Sequence, residues 1–323
     1  MSHRSRHVEA LAEETERLLL ETLGLPRGYR ALFMGGGASA QFALVPMNFL
    51  HRGRSGSYVL SGSFAVKAYQ EAKHVGSVSV AATSEPDEWR RLPAAQEMHW
   101  DGDAAYVHLT TNNTIEGSQF KEFPDTGNVP LIADMTSDIL SRRLDLSRFA
   151  MLYAGAQKNL GPAGITAVVI REELLAEGSE HIPVIFRYKT YADHRSLYNT
   201  PPVHSLYMVY LVLQWVRAQG GIDALERRNE AKAKLVYDAI DAEPGFYRPI
   251  VQTPYRSTMN ITWRMDDAEA ERRFVQEAER QGFDGLAGHR SVGGLRASAY
   301  NAVPYEACKA LSEFMTEYRR RHG

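Results

Sequence analysis

Only one cysteine, Cys308, stands in the 323 residues. A single thiol forms no internal disulfide and no multi-cysteine metal site, which excludes secreted disulfide scaffolds and zinc fingers, and no metal is expected. It fits a reducing compartment. Long apolar runs are also missing. The strongest, Tyr207 to Val216, is too short to span a bilayer and is broken by Gln214. Met1 to Glu9 is polar and basic and lacks the apolar core of a signal peptide. Nor is there an excess of charge of either sign. The 37 Lys and Arg against 39 Asp and Glu leave a formal net charge of −2, so nothing global draws the chain to nucleic acid or an anionic membrane. The Arg319-Arg320-Arg321 run reads as a basic last helical turn opposing the helix dipole. Internal repeats and low-complexity tracts are absent. A cytoplasmic globular protein is expected.

What is there is an alternation of short apolar runs and helical segments. Val8 to Leu23 has helical spacing and stops at Gly24 and Pro26. Tyr29 to Met34 reads as a buried strand, and Gly35-Gly36-Gly37 leads from it into a helix over Ala38 to Leu50. Ser57 to Leu60, Ser77 to Ala82, Ala105 to Leu109, Val129 to Ala133, Ala150 to Tyr153 and Ile165 to Ile170 are six further strand candidates, with a helix over Phe64 to His74. Seven runs joined by crossovers predict a mostly parallel sheet covered on both faces, an α/β fold. Beyond Pro201-Pro202 come two long helices, Val203 to Ala218 and Ile222 to Ala242. The rest reads as a strand (Met259 to Met265), a helix (Asp267 to Gln281), a strand (Leu295 to Ser298) and a last helix (Pro304 to Arg321). The length favours two domains, a large one over 1–242 and a smaller α/β domain over 243–323.

Ligands of such sheets bind beyond the carboxyl ends of the strands. Three features lie there. Gly35-Gly36-Gly37-Ala38-Ser39 joins a strand to a helix, where exposed amides favour phosphate. A plain tight turn explains three glycines as well, and neither a Walker loop nor a dinucleotide fingerprint is present. Lys158 sits in the glycine-rich turn Tyr153-Ala154-Gly155-Ala156-Gln157-Lys158-Asn159-Leu160-Gly161-Pro162-Ala163-Gly164. It is either a solvated turn lysine or an amine able to form a Schiff base with an aldehyde. Asp134 directly follows a buried run, where it could hold a protonated ring nitrogen. The 158 − 134 = 24 residues between them, with one strand inside, place both on neighbouring strand ends. Jointly, these three features match the needs of pyridoxal phosphate.

On these residues the chain resembles the phosphoserine aminotransferase family, in the class V branch of the aspartate-aminotransferase-like fold. The likeness runs through Ser2-His3-Arg4, Gly35-Gly36-Gly37 with Gln41-Phe42, Asn113-Thr114-Ile115-Glu116-Gly117 and Ala133-Asp134. It continues through the Lys158 turn, Tyr198-Asn199-Thr200-Pro201-Pro202 and Gly288-His289-Arg290 to Gly293-Gly294-Leu295-Arg296-Ala297-Ser298. The resemblance implies pyridoxal 5′-phosphate as cofactor, Lys158 as the Schiff-base lysine and Asp134 as the partner of the ring nitrogen. It puts Gly37, Ala38 and Gln157 at the cofactor phosphate and Thr114 at the ring 3′-oxygen. Phe64 falls on a ring-stacking position often held by Trp; it can stack but has no indole N–H to donate. Asn199 and Thr200 are implied to reach the phosphate of a neighbouring subunit's cofactor, which makes the unit a homodimer with composite sites. His3, Arg4, His289, Arg290 and Arg296 are implied on the substrate, with Arg296 on its α-carboxylate.

The activity implied is amino transfer from L-glutamate to 3-phosphohydroxypyruvate, giving O-phospho-L-serine and 2-oxoglutarate in serine biosynthesis. Formation of 4-phosphohydroxy-L-threonine in pyridoxine biosynthesis is a second expectation. Family members carry a few dozen residues before the Ser-His-Arg motif, with an extended Phe-Ser-x-Gly-Pro stretch; here Met1 precedes it directly. Rival readings are another class V enzyme, such as a serine–glyoxylate transaminase or a cysteine desulfurase, and a fold member that no longer catalyses. A desulfurase needs a mobile nucleophilic cysteine, and Cys308 falls within the last helix.

Overall fold

The computed structural model describes residues 4–25, 27–51 and 53–323. Its centre is a seven-stranded sheet. The strands are β1 (Tyr29–Met34), β2 (Gly56–Leu60), β3 (Val78–Thr83), β4 (Tyr106–Thr110), β7 (Leu131–Asp134), β8 (Met151–Gly155) and β9 (Thr166–Arg171), in the order β1-β9-β8-β7-β4-β2-β3. Two short strands, β5 (Asn112–Asn113) and β6 (Ser118–Gln119), form a separate hairpin after β4. β3, β2, β4, β7 and β8 run parallel, as the crossovers require. β9 is antiparallel to both β8 and β1. The ten residues between Gly155 and Thr166 explain the reversal, because a parallel crossover needs a dozen or more. The β1–glycine–helix unit therefore ends at a sheet edge beside an antiparallel neighbour.

Ser77 to Ala82 carries apolar residues at every second position, Val78, Val80 and Ala82, but its burial does not follow that alternation. Tyr58 pairs with Val80 but Val59 pairs with Ala82, so a bulge skips Ala81. Ala81 is buried and Val80 is 42% exposed. An extra residue in an edge strand exchanges inside and outside in this way.

Helices cover both faces. α1 (Arg6–Leu23), α6 (Val203–Ala218) and the start of α7 (Gly221–Asp241) bury Leu19, Leu206, Val209, Leu213 and Leu225 against one. α2 (Gly37–Phe49), α3 (Ser63–Lys73), α4 (Glu172–Ala176) and α5 (Tyr188–Asp193) close the other around Tyr58, Tyr106 and Tyr153. A third core lies beneath the antiparallel sheet of β10 (Arg248–Pro249), β11 (Asn260–Arg264) and β12 (Leu295–Ser298). α8 (Ala268–Arg280), α9 (Tyr305–His322) and the later turns of α7 pack on it through Phe274, Met315, Val236 and Ile240. α7 feeds the first core through Ile222 and Leu225 and the third through Ala233, Val236 and Ile240. We propose α7 as the joint of a 1–242 and 243–323 division.

Candidate active site

A cavity of about 290 Å³ opens where the parallel strands end. Asp134 closes β7, and Lys158 follows β8, which pairs with β7 so that Asp134 faces Tyr153 in register. The period-two alternation sends Ile132, Asp134 and Tyr153 to the face of the sheet that α2 covers. Gly37, Ala38, Phe64, Thr114, Asp134, Gln157, Lys158, His289 and Arg296 all line this cavity. Nine residues singled out on separate segments thus share one space.

Lys158 is the centre of the polar contacts. Its Nζ donates to Thr114 Oγ1 at 2.6 Å. It also lies 5.8 Å from the centre of the Phe64 ring and 6.0 Å from that of Tyr300. Burial pulls its ammonium down to about 8; Asp134 opposes the fall and the Arg296 charge adds to it. Asp134 is pushed the other way. Burial raises its carboxyl, while Thr136, whose N–H donates to Oδ1 at 2.9 Å, and the Lys158 charge hold it down. Arg296, on β12, donates from Nη1 to the Thr114 carbonyl at 3.3 Å.

α2 begins at this cavity. Its N-cap, Gly36, has φ +92°, and a Cβ there would come within 2.5 Å of the Ala40 Cβ. No side chain caps the helix, so its first amides are free to meet an anion where Gly37 and Ala38 line the cavity.

The donor set suits pyridoxal phosphate. A primary amine, a buried carboxylate, an uncapped helix N-terminus and an aromatic face converge. Two buried polar atoms on cavity residues, Thr110 Oγ1 and Arg296 Nε, have no hydrogen-bond partner. Such atoms call for a polar guest.

Other expected residues lie elsewhere. Asn199 and Thr200 are exposed and outside the cavity of their own chain, as is Arg290. Arg4 is exposed at the start of the described chain, and His3 lies outside the described residues. Cys308 is buried in the third core, where burial raises its thiol, the opposite of an activated nucleophile. Thr110, Asn112, Thr136, Ser137 and Tyr300 were not singled out beforehand. Thr110 and Thr136 end or follow predicted strands, a signal that could have found them. Tyr300 is brought in only by the small sheet: its hydroxyl accepts from Asn260 Nδ2 at 3.0 Å.

Known proteins resemble this chain over nearly its whole length. The family model described as aminotransferase class-V matches residues 1–311. A phosphoserine aminotransferase of Niallia circulans is 55% identical over 100% of this chain and 89% of its own. The solved phosphoserine aminotransferase of Bacillus circulans subsp. alkalophilus superposes with a TM-score of 0.98, covering 100% of this chain and 90% of its own at 55% identity. A pyridoxal-phosphate-bound phosphoserine aminotransferase from Trichomonas vaginalis has a TM-score of 0.92 at 34% identity, over 98% of this chain and 90% of its own.

Proposed function

The chain belongs to the class-V aminotransferase family, and from that premise we propose that it moves an amino group from L-glutamate to 3-phosphohydroxypyruvate, yielding O-phospho-L-serine and 2-oxoglutarate. It is a pyridoxal-phosphate-dependent transaminase. The observation carrying the substrate assignment is one cavity lined by Lys158 and Asp134 together with the His289 imidazole and the Arg296 guanidinium. When bound, the cofactor supplies an electrophilic aldehyde and a ring able to accept electrons.

The chain's own residues do the rest. Lys158, brought near neutral pH by burial, is the amine that meets the aldehyde and the base that holds and returns the substrate's α-proton. Thr114 Oγ1 fixes the position of its Nζ. Asp134 would hold the ring nitrogen, and its carboxylate favours the protonated form of that nitrogen. The Gly37 and Ala38 amides with Gln157 would hold the cofactor phosphate, and Phe64 one ring face. Arg296 takes the α-carboxylate as a bidentate fork and His289 the substrate phosphate, while His3 and Arg4 serve the substrate site of a second copy.

The active unit in this reading is a homodimer. Asn199 and Thr200 are exposed, and beside them Val203, Tyr207 and Tyr210 of α6 line an open apolar groove. A second copy covering this face would bring the two polar residues to its own cavity. Neither the phosphorylated substrates nor the polar cavity calls for a membrane, and we place the enzyme in the cytoplasm. No helix of the described residues is long and apolar enough to cross a bilayer. The same phosphate grips suit 4-phosphohydroxy-L-threonine, the second product in our reading.

The test is an assay of the purified protein with glutamate and 3-phosphohydroxypyruvate, with products identified by mass. O-phosphoserine is expected. A preference for glyoxylate or another unphosphorylated acceptor would overturn the substrate assignment while leaving the transaminase class intact.

A further inference from the structure

α3 has no cap of its own. Its N-cap is Gly62, and no side chain near it in sequence accepts the first amides. The acceptor comes from the turn between β5 and β6. Glu116 Oε1 takes the Ser63 N–H at 2.7 Å and the Ser63 hydroxyl at 2.6 Å. An anion at a helix N-terminus is favoured by the exposed amides and the dipole. Phe64, one wall of the cavity, is the next residue.

The anchoring turn is itself fixed. The Asn113 amide donates to Ser61 Oγ at 3.2 Å and to Ser118 Oγ at 3.0 Å. Thr262 Oγ1, on the small sheet, donates to the Glu116 carbonyl at 2.7 Å. Gly117, at φ +86°, has no room for a Cβ against that Thr262 hydroxyl. Gly62 likewise lets the Glu116 carboxylate in, since a Cβ there would lie 2.6 Å from Oε2. The turn also carries Thr114, which holds Lys158. Glu116 is 5% exposed, and its Oε2 has no partner. A buried carboxylate half-satisfied in this way is costly, and its two bonds to Ser63 are the visible return.

We propose that Glu116 is a positioning residue: docked on the first turn of α3, it fixes the Phe64 wall of the cavity and thereby sets how tightly the cofactor is held. The inference rests on the reading that Phe64 covers one face of that cofactor.

The experiment measures the cofactor dissociation constant and visible circular dichroism of the holoenzyme for Phe64→Ala, Glu116→Ala and the double variant. Loss of either side chain should weaken binding about 10-fold, the scale of charge-assisted bonds or of a lost aromatic face. If Glu116 acts through Phe64, the double variant should bind within about 2-fold of Phe64→Ala alone, since coupled sites are non-additive. The cofactor's circular dichroism band should shrink in Glu116→Ala and change no further in the double variant. Multiplying effects, or unchanged affinity in Glu116→Ala, would overturn the proposal. Should Glu116→Ala not fold, Glu116→Gln keeps one acceptor oxygen, and the same comparison, alone and with Phe64→Ala, decides. Unchanged affinity in Phe64→Ala itself would instead remove the stacking assignment on which the inference stands.

Discussion

At the scale of single residues, Lys158 and Asp134 show how burial shifts two groups in opposite directions, the amine down and the carboxyl up. With its ammonium near 8, Lys158 is about a tenth neutral at pH 7, where an ordinary lysine is neutral in well under a thousandth of molecules. Capture of an aldehyde needs the neutral amine. Capture of pyridoxal phosphate by the cofactor-free protein, followed by borohydride fixation, should therefore speed up about tenfold per pH unit below 8 and level off above it. Peptide mapping should place the label on Lys158; a label on another lysine would refute the assignment. Asp134→Asn separates function from folding. The buried charge is a cost to the fold, so its removal should leave the thermal midpoint nearly unchanged. Turnover should drop about 10²–10³-fold, as when one preorganised electrostatic group is lost. Both residues were legible in the sequence, Asp134 because it directly follows an apolar run and Lys158 because it sits in the glycine-rich turn after the next one. Tyr300 was not, since only the pairing of β11 with β12 carries its segment to Lys158. Glu116 stood in a quoted motif without a role, because its partner, Ser63, lies 53 residues away.

At the scale of elements, strands and long helices could be read from periodicity, and their directions only partly. The reversal of β9 depends on the length of one loop, and the bulge in β3 on pairing that no single strand displays. α4, α5 and the β5–β6 hairpin were missed, being too short to establish a period. The triple glycine was legible as a turn, but the two readings of it diverge only in three dimensions. Gly36 is at positive φ and has no space for a Cβ, while Gly35 has open space and no such φ. Gly36→Ala should thus cost about 1–3 kcal/mol in stability and loosen the α2 N-terminus. Cofactor affinity should fall with it, and Gly35→Ala should change neither. Equal effects at both positions, in thermal melts and in cofactor titration, would argue that the turn merely connects β1 to α2.

At the scale of the whole molecule, the proposed homodimer rests on two polar residues exposed away from their own chain's cavity. Asn199 and Thr200 stand exposed beside an apolar groove, while the cavity they are assigned to lies elsewhere in the chain. If the sites are composite, lesions on the two sides of a site are separable between subunits. Lys158→Ala subunits and Asn199→Ala/Thr200→Ala subunits should each be nearly inactive as homodimers. In a mixed dimer, one site combines both lesions. The other draws its lysine from one chain and its Asn199 and Thr200 from the other, so it is wild type. Subunit exchange of equal amounts makes half the dimers mixed, and activity should return to about a quarter of the wild-type level. Mixing of subunits is checked independently by native mass spectrometry with one variant isotopically heavy. If mixed dimers form and activity stays at the level of the parents, Asn199 and Thr200 serve their own chain or no site at all, and the composite arrangement is wrong.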